Sequence, residues 1–537
     1  MKLSFKEGFF IVFSLFWVGI LFIDYWDKHP IYWLSLTHYK YWGWTAILGL
    51  IGVAFGFSQT EKFKIPKFPI NGLVVFGAFL FTIILTAFCF NQYLQADLDL
   101  GNYWHLIERS SYTLICSYIV LLSAYSAGDL IISRTTQMAK IGGNTSFLVK
   151  TGTGFLVLVM SLFAMGSVSI LTQIPVLILL LAFPLINYKR TISYSKNFFW
   201  NKFEFPSSWN FWGYLVAFIT LIYSSINFLY TQSPFPLGFD ARNYYVNIAQ
   251  LLADQGSLVK GFQPYAWSLM ESVGYIAFFS PEVTMFLATI GGFMSFWGIY
   301  ELGVRYLKLD ANYVLLAVFL FLSTPAINNH WIIEYKVDLA LLFVQISILC
   351  LTFYWLTEKK SDLKTESLIA DRFDWQIVIV LGLLMGFALS IKVLSIFLTF
   401  GLFVGLWWYN YNRIGAFFIA FFGFGFLIMA HVDDISGLRV YHIKPHQEAI
   451  MILLASISIL LISMLQEGNK IKENLVATAI LVFLSILPFV PWGMKNYKEI
   501  TGGSLQQIVT GTNPQLEMSI FQFNDNYKAS KKAANEK

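Results

Sequence analysis

Apolar runs of about 20 residues, the length a helix needs to cross a bilayer, recur along the whole chain between short polar segments. They lie at roughly 8–26, 42–59, 69–90, 110–132, 151–171, 174–188, 210–230, 281–303, 312–327, 338–356, 375–391, 393–410, 414–430, 449–466 and 475–493. The pattern predicts an all-α polytopic membrane protein of about 15 transmembrane helices, with a range of about 13 to 16. The first run, Phe9 to Ile23, follows Lys2 and Lys6 and ends on Asp24-Tyr25-Trp26 without a small-residue cleavage site. It reads as a retained span rather than a signal peptide. One stretch breaks the rhythm. From Asp240, the residues Tyr244, Ile248, Leu251 and Leu252 recur at helical spacing, with Asn247, Gln250 and Asp254 on another face, until Gly256 stops the helix. A second helix is expected over 264–279, with Trp267, Met270 and Val273 as its apolar stripe. Both are too polar to span and are expected to lie in the membrane interface.

Composition agrees with the pattern. The 537 residues are 57% hydrophobic and 12% charged, against about 25% charged in soluble domains. A net charge of +5 is too small to imply nucleic acid. Positive charge orients the spans. With the N-terminus in the cytoplasm, the inside loops collect Lys62, Lys64, Lys67, Arg134, Lys140, Lys189, Arg190, Lys196, Lys202, Arg305, Lys308, Lys359, Lys360, Lys364, Arg372, Arg413, Lys470 and Lys472. That is about twice the Lys and Arg of the outside loops, the positive-inside bias. The long polar loops 91–109, 231–280, 328–338 and 431–447 then fall mostly outside. Cys89, Cys116 and Cys350 sit in or beside apolar runs and read as small core residues. Asn144-Thr-Ser matches a glycosylation sequon but falls in an inside loop, which discounts it.

The candidate chemistry gathers in those outer loops. Asp240 reads either as a general base at the membrane surface or as an N-cap of the helix it precedes. Glu334 and Asp338, four residues apart ahead of a span, would share one helix face. There they could position an acceptor or hold a divalent cation, or complement the helix dipole with Lys336 snorkelling. Lys392, in Gly386-Phe-Ala-Leu-Ser-Ile-Lys392, sits where an ammonium either meets a lipid phosphate or snorkels to headgroups. Arg242 could clamp a phosphate bidentately. Lys495 and Asn496 follow the last span and form a looser group with it, or anchor the interface together with Trp492 and Tyr497. His330, His431, His442 and His446 are outer-face histidines; a metal site at His442 and His446, near Asp433 and Asp434, lacks a well-spaced third ligand, so no metal residue is assigned.

Taken in order, these motifs resemble the GT-C superfamily of membrane glycosyltransferases, and within it the polyprenyl-phosphate-sugar-dependent protein mannosyltransferase and aminoarabinose transferase group. The resemblance covers roughly 210–505. It rests on Phe239-Asp-Ala-Arg-Asn-Tyr-Tyr245 running to Gly256, on Glu334 with Val337-Asp-Leu339, on Gly386 and Lys392, and on Pro491-Trp-Gly-Met-Lys-Asn496 with Gly502 and Gly503 beyond. Lys495 stands where the pattern has Arg, about six spans precede the module, and a short polar tail stands in place of the soluble domain of many relatives.

The resemblance implies a glycosyltransferase that moves a sugar from a polyprenyl-phosphate carrier to a glycan, lipid or protein acceptor at the extracytoplasmic face, and Phe-, Asn- and Lys-rich usage points to a bacterial inner membrane. It implies Asp240, Asp338 and Glu334 as catalytic residues, and Arg242, Tyr244, Tyr245, Tyr265, His330, Lys336, Lys392, Lys495 and Asn496 as substrate-binding ones. No cofactor is required, although a divalent cation would fit. The expected organisation is an N-terminal region of about six spans over 1–205, which could hold a membrane-protein partner, a catalytic module over 206–505, and a polar tail over 506–537. The competing readings are a transporter or flippase of lipid-linked sugars, which would place inverted repeats and charges at the midplane, and a polysaccharide polymerase or ligase.

Overall fold

A computed structural model describes residues 72–94, 100–134, 141–200, 209, 211–233, 236, 238, 240–260, 264–324, 327, 330–331, 334–359, 372–410, 413–429 and 445–499. The spans expected at 8–26 and 42–59, His431 and His442, Gly502 and Gly503, and the tail 506–537 lie outside the described residues. Among those described, all regular structure is helical. The helices are α1 Gly72–Leu94, α2 Leu100–Arg134, α3 Gly143–Ser167, α4 Gln173–Ile186, α5 Tyr188–Trp200, α6 Phe211–Thr231, α7 Val246–Gln255, α8 Ala266–Phe278, α9 Pro281–Glu301, α10 Ala311–Leu322, α11 Asp338–Phe353, α12 Arg372–Ile391, α13 Ile396–Asn410, α14 Arg413–Met429, α15 Pro445–Ile486 and α16 Val490–Glu499. Wider π turns precede α7 at Ala241–Tyr245 and extend α9 at Leu302–Tyr306.

Among the described residues, five helices are long and apolar enough to cross a membrane: Tyr103–Ser133, Gly143–Ser167, Gly213–Thr231, Pro281–Tyr306 and Asp338–Thr357. Two bent pairs raise the number to seven if each is one span. One is α4 with α5, bent by 87°, and the other joins the end of α15 to α16, bent by 51°. This is a membrane-type helical bundle. The run expected as a ninth span is only the twelve-residue α10.

Two local expectations change. Sequence pattern separates 449–466 from 475–493, but Gln466-Glu-Gly-Asn-Lys-Ile-Lys-Glu473 continues the helix, so α15 is one element. The segment has no Pro, and its Glu, Lys and Gln are good helix formers. The helix expected over 264–279 forms as α8 but does not lie on a surface. Ala266 to Gly274 are all buried, because α8 is roofed by α7 and sits on α3 and α9.

The core is aromatic. Phe155 of α3 packs on Trp267 of α8 at 5.0 Å and on Phe343 of α11 at 6.1 Å between ring centroids. Cys116 and Cys350 are buried free thiols within it. At one end of the bundle, Asp129 of α2 accepts from Lys150 of α3 at 2.8 Å and from Arg190 at 3.3 Å, and Asn187 at the α4–α5 bend donates to it at 2.9 Å. At that same end Glu301 holds Arg305 at 2.9 Å and the sequon residue Asn144 at 3.0 Å. The other end of α3 and α9 carries the loops described next.

Gly386 of α12 decides how the last segment docks. A Cβ there would collide with the Ser485 carbonyl and with Pro488. Its absence lets α15 and the 487–489 turn approach the α12 backbone, where Ser390 Oγ donates to the Pro488 carbonyl at 3.1 Å. We expect Gly386→Val to lower stability by about 1–3 kcal/mol through overpacking. Gly405→Ala, where an added Cβ meets nothing within 4 Å, is expected to be silent. Thermal melts of the purified protein in detergent would compare the two; equal melting temperatures would refute this account of the docking.

Candidate functional site

The loop ahead of α11 is pinned from below. Trp331 is fully buried against Phe293 at 4.6 Å, and the buried Tyr335 donates its hydroxyl to the Tyr230 carbonyl at 2.8 Å. Tyr335 takes φ +44, in the left-handed region, and the Lys336 amide donates back to the His330 carbonyl at 3.2 Å. This tight reversal keeps Glu334 off α11, which starts only at Asp338. Glu334 and Asp338 therefore do not share a helix face; the turn sends their carboxylates to different partners.

Glu334 Oε2 accepts the backbone N–H groups of Asp240, at 2.9 Å, and of Ala241, at 3.3 Å. These are the unpaired amides that open the next helix. The capping role that Asp240 would fill from its own sequence position is thus taken by a residue 94 positions away, and the Asp240 side chain makes no cap bond. Its carboxylate is released sideways, where Oδ2 pairs with Lys336 Nζ at 2.6 Å. Lys392 Nζ, at the break between α12 and α13, pairs with Asp338 Oδ1 at 2.7 Å. Its partner among the described residues is a carboxylate, where the sequence reading supplied a lipid phosphate. Each of these four side chains is partly exposed, so each pair is accessible to a ligand.

Asp338 Oδ2 and His330 Nδ1 at this site are buried without a partner among the described residues, as is Trp331 Nε1. Burial holds the His330 imidazole below its ordinary pKa; Lys336 and Lys392 push the same way, and Asp338 and Glu334 oppose them. A neutral imidazole offers one donor and one acceptor. Behind these groups stand Tyr244 and Tyr245, with ring centroids 5.0 Å apart. The Tyr245 hydroxyl is pushed up first by burial and then by the charge of Asp338.

The remaining predicted residues separate. Arg242 is exposed and donates Nε to the Pro236 carbonyl at 2.6 Å. Lys495 and Asn496 are buried on α16, with the Lys495 ammonium over the Tyr265 ring at 5.4 Å. Trp492, fully buried, packs its indole on Tyr265 and on Phe163, each at 4.8 Å. The Tyr265–Lys495 contact thus joins α16 to the start of α8, while Arg242 faces elsewhere. Among the described residues no three His, Cys, Asp or Glu side chains gather as a metal would need.

Glu271 is the residue that sequence reading passed over. It lies on α8, fully buried, with neither carboxylate oxygen hydrogen-bonded within standard distance and angle to a described residue. Desolvation pushes its pKa up to about 8, only partly offset by the Ser268 hydroxyl. Burial thus favours its neutral form, and it lies close enough to both Tyr245 and Tyr275 for its charge to raise their hydroxyls. A lone acid inside an apolar thirteen-residue helix was the available signal.

The folded chain holds the Glu271 proton between about pH 4.5 and 8, whereas the unfolded chain releases it. The stability it contributes is complete below pH 4.5 and falls as pH rises toward about 8. Glu271→Gln is expected to remove that component of the slope in melts at pH 5, 6.5 and 8; an unchanged slope would show that Glu271 does not titrate in this window.

No protein-family model, no curated protein and no solved structure matches this chain.

Proposed function

We propose that this protein is a membrane glycosyltransferase of the GT-C type. It would cross a bacterial inner membrane about 15 times and transfer a sugar from a polyprenyl-phosphate donor to an acceptor at the extracytoplasmic face. One observation carries the reading. Residues from three separate motifs converge at one end of the bundle: Asp240, the 330–338 loop and Lys392 are joined through the Asp240–Lys336 and Asp338–Lys392 pairs. Helical packing alone requires no such gathering of two carboxylates, two ammoniums and a neutral imidazole.

The arrangement suits sugar transfer. An acceptor hydroxyl attacking the anomeric carbon must lose a proton, and the partly exposed Asp240 carboxylate can take it. The carrier phosphate gains negative charge as the glycosidic bond breaks. Lys336 and Lys392 can stabilise it by turning from their aspartates toward the leaving oxygen. Glu334 holds the backbone at Asp240 and acts as a positioning residue. Asp338 orients Lys392. The carrier's lipid tail would lie between the spans.

The test is mass spectrometry of total polyprenyl-phosphate lipids from wild-type, deletion, Asp240→Asn and Lys392→Met strains. A monosaccharide-charged polyprenyl phosphate is expected to accumulate in the deletion and in both variants, with turnover reduced by about 100-fold or more in Asp240→Asn. Unchanged lipids in all strains would reject the reading. A change in the deletion alone would remove Asp240 and Lys392 from the chemistry and favour lipid-linked sugar transport.

A further inference from the structure

Beside the Asp240 segment the protein has a second concavity. It is an open cavity of about 350 Å³ lined by Pro236, Arg242, Asn247, Gln250, Tyr275 and Pro281, together with Ala241 and Val246. It opens beside the residue that follows Asp240, while Lys336, Asp338 and Lys392 are not part of its wall.

The wall has a definite chemistry. Arg242, Asn247 and Gln250 are planar, multidentate hydrogen-bonding groups, and Gln250 and Arg242 are exposed. The one hydrogen bond the Arg242 side chain makes among the described residues, from Nε to the Pro236 carbonyl, fixes the guanidinium plane and leaves its terminal nitrogens for a ligand. Asn247 and Gln250 make no side-chain hydrogen bond to described residues, so their donors and acceptors are available. Tyr275 and the two prolines add flat apolar surface. Among the described residues, no acidic side chain lines the cavity. The wall therefore carries one positive charge, paired amide donors and acceptors, and a stacking surface.

We propose that this cavity binds the acceptor, and that the acceptor is a hydroxyl-rich sugar bearing one negative charge, such as a uronic acid residue. This rests on the glycosyltransferase reading and adds the acceptor class to it. The vicinal hydroxyls of a sugar match the paired donors and acceptors of Asn247 and Gln250. A carboxylate matches the fork of Arg242. The ring face suits Tyr275. Bound there, a hydroxyl of the sugar would lie toward Asp240, one residue beyond the cavity wall.

The test is binding to the full chain in nanodiscs, read by saturation-transfer NMR, with glucuronate, glucose and inorganic phosphate as probes. Glucuronate is expected to bind at least ten times more tightly than glucose. Arg242→Gln should remove that preference while leaving glucose binding in place, and Asn247→Ala should weaken both sugars. Gln250→Glu, a change on an exposed helix face, should repel glucuronate but not glucose, which keeps the test decisive if Arg242→Gln does not fold. Asp240→Asn should bind glucuronate as the wild type does. Failure of wild type to bind glucuronate, binding unaffected by both Arg242→Gln and Gln250→Glu, or binding of phosphate alone would each overturn the proposal. Because these readouts do not depend on turnover, they fail separately from the lipid experiment.

Discussion

A charge at the rim of an apolar bundle must find a counter-charge, and this constraint organises the site. Unpaired carboxylates and ammoniums cost several kcal/mol when they are drawn from water. The chain meets the constraint by drawing together segments far apart in sequence. Asp240 takes Lys336, Asp338 takes Lys392, and Glu334 takes two backbone amides. Each pairing also tethers an element: the π turn to the 330–338 loop, and α11 to the break between α12 and α13. The pairs are partly exposed, so their value for stability is modest. Their consequence is positional.

The same rule operates at the opposite end, with a different result. There Asp129 is almost completely buried and takes Lys150, Arg190 and Asn187 together. Its neighbours are a stacked aromatic set, with Tyr125 on Tyr194 at 4.1 Å between centroids. That cluster leaves its carboxylate fully satisfied and ties α4 and α5 to α2 at their sharp bend. The first end instead retains unpartnered buried atoms on Asp338 and His330. A saturated cluster holds helices together, whereas an unsaturated one can still accept a ligand.

Glu271 and Gly386 show how the layer beneath the site supports it. Glu271 is fully buried on α8, close enough to Tyr245 for its charge to be felt there. Gly386 admits the α15–α16 turn against α12, within two helical turns of Lys392. Trp492 and Lys495 then close over Tyr265. The Gly386-to-Lys392 and Pro491-to-Asn496 motifs are thus coupled through backbone contact, and neither needs to touch the other's charged group.

Much of this was open to reading from the sequence because it depends on local pattern. Apolar run length placed the long spans, helical spacing placed α7 and α8, and Gly256 ends α7 at φ +63, where glycine avoids the Cβ clash. The polar residues stood out against their apolar surroundings and were identified as candidates for that reason. Partner choice was not local. Asp240 has the sequence position of a cap, yet Glu334, brought in by the reversal at Tyr335, occupies the amides and frees it. Glu334 and Asp338 have the spacing of one helix face, yet the same reversal separates them. The polar run 466–473 has the look of a loop but also has helix-forming residues, and α15 continues through it. Sequence by itself determined which residues are costly to place in a membrane, because that cost belongs to each side chain. Only the tertiary structure decided which of them meet, because a Coulomb pair or a cap depends on distance in space, and elements about 50 to 100 residues apart in the chain come within 3 Å only after the bundle has packed.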